Sequence, residues 1–69
     1  MMEIFHKRLE ELRRENRLTQ QQMADLLDIK QPSCARYEDG SCEPNLKRLV
    51  IIADTFGVTV DYLLGRKEY

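Results

Sequence analysis

The stretch Thr19 to Gly40, TQQQMADLLDIKQPSCARYEDG, constrains the fold more than any other part of the chain. It holds two helical patterns separated by a very short break, and the second is too polar to be a core helix. Thr19 and Gln22 read as a capping box. The Thr hydroxyl accepts from the Gln22 backbone N–H, and the Gln22 side chain accepts from the Thr19 N–H. Met23, Leu26 and Leu27 then supply an apolar stripe, which predicts a helix over Gln20 to Leu27. Asp28 stands where the chain must turn, and Ile29 is the hydrophobe after the turn. A second helix fits Gln31 to Glu38; Pro32 is tolerated there because first-turn N–H groups have no intrahelical partner. Its buried side is Cys34 and Tyr37 with Ala35 nearby, which leaves Gln31, Ser33 and Arg36 outward, and Gly40 is a natural stop. A helix that buries a small apolar edge and presents Gln, Ser and Arg suits reading base edges in a DNA major groove.

Around this unit the chain reads as further short helices. Phe5, Leu9 and Leu12 form one apolar face of a helix expected over Glu3 to Asn16. Its other faces are charged, with pairs such as Lys7 and Glu11, and His6 is expected to be exposed. Asn16-Arg17 forms a short loop with Leu18 packed beneath it. The loop Asp39 to Pro44 carries Gly and Pro and cannot continue either flanking helix. Asn45 caps a helix over Leu46 to Phe56, whose inner face is expected to be Leu46, Leu49, Val50, Ala53 and Phe56. Lys47, Arg48, Asp54 and Thr55 are expected to point out. Gly57 ends this helix, Thr59 caps a last one over Val60 to Leu64, and residues 65–69 form a polar tail expected to fray. The expectation is one all-α domain over residues 1–69: five short helices, with no strands, repeats or linkers.

Size and composition exclude much. Sixty-nine residues make one small domain, too small for a second core. A net charge of −1, from 11 cations against 12 anions, is not the basic balance of most DNA binders. The cations suffice only if they cluster on one side, and Arg13, Arg14, Arg17, Lys30, Arg36, Lys47 and Arg48 are expected to do so. No apolar run is long enough for a membrane span, and the N-terminus MMEIFHKRLEE lacks a signal core, so the cytoplasm is the expected location. Cys34, Cys42 and the single His6 give fewer than the usual zinc ligand set, so Cys34 is expected in the core and Cys42 in a loop as a free thiol. Gly40, Gly57 and Gly65 each terminate an element and build no phosphate loop. With no nucleophile set beside His6, neither catalysis nor a cofactor or metal is expected.

Leu18 to Gly40, with Leu46 to Leu64 behind it, resembles the Cro/repressor-like (XRE-type) helix-turn-helix family. The residues that carry the likeness are Thr19-Gln20, Ala24, Ile29, Arg36-Tyr37-Glu38-Asp39-Gly40, Pro44-Asn45-Leu46, Phe56-Gly57-Val58 and Asp61-Tyr62-Leu63-Leu64. In this order and spacing they are highly specific and span most of the chain. The resemblance implies a five-helix lambda-repressor-like fold with its helix-turn-helix motif over residues 19–38. It implies that Ala24 is small because the two motif helices cross closely there. Asp28 departs from the family's usual Gly, at a cost of about 1 kcal/mol in a left-handed turn.

The same resemblance implies an ion pair between Arg13 and Glu38 that staples the first helix to the reading helix. It assigns Gln20 both a DNA phosphate contact and a bracing contact toward Gln31. Phosphate contacts position a protein and base contacts specify the site. Gln31, Pro32, Ser33 and Arg36 are the candidates for base reading: Gln can bridge adenine N6 and N7, Arg can bridge guanine O6 and N7, and Pro32 can touch a thymine methyl. Arg17, Thr19, Gln20, Gln21, Lys30 and Lys47 are the phosphate candidates; Gln20 stands at a helix N-terminus, where backbone N–H groups meet anions. Tyr37 is expected in the core. Val58, Tyr62 and Leu64 are the dimer candidates by analogy with the family, with packing onto the domain itself as their alternative. The implied function is sequence-specific binding of double-stranded DNA by a homodimeric transcriptional regulator of the repressor type. Two alternatives stand beside it. One is the antitoxin of a toxin–antitoxin pair. The other is a protein-interaction module that kept the fold and lost DNA binding, which the pI of about 5.8 and Asp39/Glu43 favour.

Overall fold

The computed structural model of the protein describes residues 2–69, with side chains from Ile4 onward. Five helices follow one another: α1 (Met2–Glu15), α2 (Gln20–Leu27), α3 (Gln31–Asp39), α4 (Leu46–Phe56) and α5 (Val60–Leu63). No strand occurs among the described residues. The ends of the helices follow local chemistry closely. The Thr19 hydroxyl accepts from the Gln22 N–H at 3.0 Å while the Gln22 side chain accepts from the Thr19 N–H at 2.8 Å. Asn45 Oδ1 accepts from the Arg48 N–H at 2.8 Å to open α4, and Thr59 Oγ1 accepts from the Tyr62 N–H at 2.9 Å to open α5. Asp28 takes up the left-handed turn after α2 with φ 57°. Arg17 does the same after α1 with φ 56°. The Leu18 N–H then reaches back to the Arg13 carbonyl at 3.1 Å, and the Arg17 N–H to the Arg14 carbonyl at 3.0 Å. This is the Schellman ending, which usually places Gly where Arg17 stands.

The core joins Phe5, Leu9 and Leu12 of α1, Met23, Ala24 and Leu27 of α2, Cys34 of α3, Leu49, Ile52 and Ala53 of α4, and Leu63 of α5. Tyr37 is half-buried against it, edge-on to Phe5 with ring centroids 6.4 Å apart. α3 packs mainly on α2 and then on α1. Ala24, fully buried, lets the two motif helices approach closely.

Several expectations about faces are corrected. Leu26 is 56% exposed, because α3 crosses α2 on the side of Ala24 and leaves the other flank open. In α4 the buried stripe is Leu49, Ile52 and Ala53, whereas Leu46 is 75% and Val50 43% exposed. Both stripes satisfy helical spacing in the run LVII, and only the position of the neighbouring helices selects one. Among the described residues, Glu10 and Arg14, rather than Lys7 and Glu11, form the i,i+4 pair on α1, at 3.3 Å. His6 is half-buried, and its Nδ1 lies 3.1 Å from the Glu38 carbonyl. A carbonyl can only accept, so the ring proton sits on Nδ1. The ring also lies beside Gly40, where a Cβ would approach it to 3.3 Å at φ +84°, so α3 closes on glycine for space as well as for handedness.

The tail 65–69 is exposed yet held. Arg8 donates to the Tyr62 carbonyl, and to the Lys67 carbonyl at 2.6 Å. Its guanidinium lies 4.3 Å over the Tyr62 ring. Arg8, on a charged flank of α1, is thus the clasp between that helix and residues 62–67.

Candidate nucleic-acid interface

One continuous hydrogen-bonded chain of side chains ties the motif together. Arg13 on α1 meets Glu38 on α3 through Nε at 2.7 Å and Nη2 at 3.2 Å. Its Nη1 also donates to the Leu18 carbonyl at 2.9 Å. The Glu38 side chain is only 4% exposed and that of Arg13 15%, so water is largely excluded from the pair. The bond to Glu38 raises the Arg13 pKa further, against the opposing effect of burial. Glu38 Oε1 accepts from Gln20 Nε2 at 3.2 Å, and Gln20 Oε1 accepts from Gln31 Nε2 at 2.8 Å.

The direction of this chain follows from donor and acceptor capacity. A guanidinium can only donate and a carboxylate can only accept. Gln20 must therefore turn its NH2 toward Glu38 and its oxygen toward Gln31. Gln31 in turn must offer NH2 to Gln20. One amide hydrogen and the Oε1 atom of Gln31 are left for an outside partner, with their orientation set from Arg13. The ion pair and the Gln20–Gln31 brace both lie where the resemblance implied them.

The other site residues surround this chain. Pro32 and Arg36 are exposed on α3, and Ser33 is half-buried beside them. Lys30 is the exposed N-cap residue of α3, with extended backbone and no side-chain cap bond. α3 runs to Asp39, one residue beyond the expected end of the motif. Hydrogen bonds from Ser41 hold the Asp39 carboxyl below its usual range. Arg17 and Thr19 are exposed at the entry to α2, and Gln21 is exposed with its Nε2 on Asp25 at 2.9 Å. Lys47 is exposed on the first turn of α4. Between α2 and the start of α3 lies an open concavity of about 600 Å³, whose lining includes Ala24, Asp25, Asp28, Ile29 and Pro32.

Not every expected residue joins this surface. Arg13 and Arg48 are engaged inside the fold, which removes both from the cation cluster inferred from sequence. Arg48 is half-buried, and its Nη1 donates to the Leu27 carbonyl at 2.6 Å, so it does not point out. Val58, Tyr62 and Leu64 are half-buried against their own core, and Arg8 covers one face of the Tyr62 ring. Burial pushes the Cys34 thiol up to about 11, and Cys42 is exposed and free. Among the described residues no cluster of His, Cys, Asp and Glu could hold a metal ion, and no helix is long and apolar enough to cross a membrane.

A family model described as helix-turn-helix matches residues 9–63, from the middle of α1 to the end of α5. The chain belongs to the helix-turn-helix family. Its helix-turn-helix unit is similar to that of an uncharacterized HTH-type transcriptional regulator, YqaE of Bacillus subtilis, 44% identical over 61 residues, which are 88% of this chain and 53% of that protein. The cryptic phage CTXphi transcriptional repressor RstR of Vibrio cholerae is 40% identical over 60 residues, 87% of this chain and 54% of its own. The HTH-type transcriptional activator BcrR of Enterococcus faecalis is 36% identical over 64 residues, 93% of this chain and 31% of its own. The chain thus spans about half the length of the first two relatives and less of the third. No solved structure matches it.

Proposed function

We propose that this chain binds double-stranded DNA in a sequence-specific way and regulates transcription as a repressor, two copies acting on a two-fold operator. The observation that carries the reading is the oriented Gln31 carboxamide at the start of α3, fixed through Gln20 and Glu38 by Arg13. Its free N–H and oxygen match the N7 acceptor and N6 donor of adenine in the major groove. Arg36, one and a half turns along α3, supplies the fork that guanine O6 and N7 accept. Ser33 and Pro32 fill the edge between, with Pro32 toward a thymine methyl. Gln20 keeps one amide hydrogen beyond its bonds to Glu38 and Gln31, so its phosphate contact comes through that N–H together with the backbone N–H groups at the start of α2. Thr19 and Gln21 flank it.

The exposed cations Arg14, Arg17, Lys30, Arg36 and Lys47 set the electrostatic part. If most of them neutralise a phosphate, log K falls against log salt with a slope of about −4 per subunit, shallower than for strongly basic domains. Two copies are needed for geometric reasons. The Cα extent of one copy is 27 × 23 × 19 Å. Half-sites one helical turn apart are separated by about 34 Å, beyond the reach of one copy. The exposed edges of Val58, Tyr62 and Leu64 are the proposed contact between copies.

Selection of bound sites from a random duplex library, followed by salt titration, tests this reading. Arg36→Ala should relax preference at one base position, and Gln20→Ala should weaken binding at all sites while also relaxing preference at the position read by Gln31. Wild-type protein that shows no salt-dependent binding to duplex DNA would refute the regulator and leave the protein-interaction module, whose acidic edge at Asp25 and Asp28 would face its partner.

A further inference from the structure

We propose that Arg48 is a second positioning residue of the DNA-reading unit: it reaches from the first turn of α4 to hold the carbonyl that ends α2, and so sets the turn that aims α3. The inference rests on the DNA-binding reading above and adds to it a residue that sequence placed on the outside. Leu27 is the last residue of α2. The chain leaves the helix at Asp28, and the next two N–H groups fold back past Leu27, to Asp25 at 3.3 Å and Ala24 at 3.0 Å. The Leu27 carbonyl is one of the orphan acceptors of a helix end. Arg48 Nη1 fills it at 2.6 Å, as a charge-assisted bond at the negative end of the helix dipole.

The arginine is itself fixed. Its backbone N–H is held by Asn45 Oδ1 at 2.8 Å, and its side chain is half-buried. One guanidinium therefore joins the first turn of α4 to the end of α2 at the back of the turn. Arg13 does the equivalent at the opposite end, through Leu18 ahead of α2 and Glu38 at the close of α3. Between the two clamps lies a non-glycine residue, Asp28, held at φ 57°. A left-handed aspartate carries conformational strain, which the bond to Leu27 opposes by fixing the peptide just before it.

The rival role for a cation on the first turn of α4, beside exposed Lys47, is a phosphate contact. The two roles predict different salt behaviour. Arg48→Met keeps the stem and removes the head. As a positioning residue, its loss should weaken the selected operator about tenfold, the low end for a lost hydrogen bond to a charged group, and leave random-duplex affinity and the salt slope unchanged. Arg48→Lys, which keeps a cationic donor, should recover part of the operator affinity. Asp28→Gly in the Arg48→Met background should recover more, because it removes the strain that the bond opposes. A slope shallower by about one in Arg48→Met, or equal losses on operator and random duplex, would overturn the proposal in favour of a phosphate contact.

If Arg48→Met does not fold, the same slopes are compared between Asp28→Gly and Arg48→Met/Asp28→Gly. Should wild-type protein fail to bind any duplex, the DNA-binding reading falls first. Amide hydrogen exchange at Asp28 to Lys30 then decides the positioning role alone: faster exchange there in Arg48→Met supports it, and unchanged exchange refutes it.

Discussion

Replacing Glu38 by Gln should show how much of this small domain depends on one buried charge. The substitution keeps shape and one acceptor but leaves the Arg13 guanidinium, 15% exposed, without its counter-charge. Removing one partner of a buried pair costs about 3–5 kcal/mol. The Arg13 bond to the Leu18 carbonyl survives and some water reaches the site, so about 3 kcal/mol is expected. Arg13→Met leaves the more deeply buried Glu38 carboxylate with only Gln20 and should cost at least as much. A chain of 69 residues has a total stability of about 3–10 kcal/mol, so either variant approaches the limit of folding. The double variant Arg13→Met/Glu38→Gln leaves no buried charge and should be far more stable than the two losses summed, with a coupling of about 2–3 kcal/mol. Urea unfolding followed by far-UV circular dichroism at pH 7 measures all four corners of the cycle. The double variant should still lose operator preference, because Gln20 and Gln31 are no longer oriented from Arg13. Single losses below about 1 kcal/mol, or a double loss equal to their sum, would refute the claim that this pair is the desolvated staple of the motif.

Four further outcomes follow from the same geometry. Arg17→Gly relieves a left-handed arginine at the end of α1 and should raise stability by about 1 kcal/mol, or about 4–8 °C in Tm, while making the DNA salt slope shallower by about one. Ile52→Ala should cost about 2–5 kcal/mol, whereas Leu46→Ala should stay within about 0.5 kcal/mol by the same urea titration. The Cys34 thiol, pushed up to about 11 from an ordinary value of 9.0, stays protonated in the folded protein while it ionises in the unfolded chain. The folded state therefore binds more protons in that window, so stability should fall as pH rises from 9 to 11, with Tyr37 acting in the same direction. Below pH 9 an aromatic disulfide reagent should titrate Cys42 and spare Cys34 until the protein unfolds.

Helix existence and helix ends were legible without any tertiary information. Thr19 with Gln22, Asn45 and Thr59 act on backbone groups three residues away, so the geometry that makes them caps is written beside them in the chain. The left-handed turn at Asp28 and the stop at Gly40 are equally local. The pairing of Arg13 with Glu38, 25 residues apart, has no local signal. The likeness to a known family implied it; spacing alone offered many other arginines and glutamates. The same holds for the brace between Gln20 and Gln31.

Taken alone, the chain determines five short helices, their caps, a polar second motif helix and the residue types available on it. Periodicity shows that a helix has an apolar face, but it cannot choose between overlapping stripes. Packing made that choice when it buried Ile52 and left Leu46 and Val50 in water. Only the tertiary structure decided which cations are spent indoors. Arg8 clasps the tail, Arg13 fixes the reading helix, and Arg48 holds the end of α2. The physical reason is that a long side chain takes its role from whichever acceptor lies within its reach. That acceptor is a carbonyl or carboxylate brought near by the fold, at no fixed distance along the sequence.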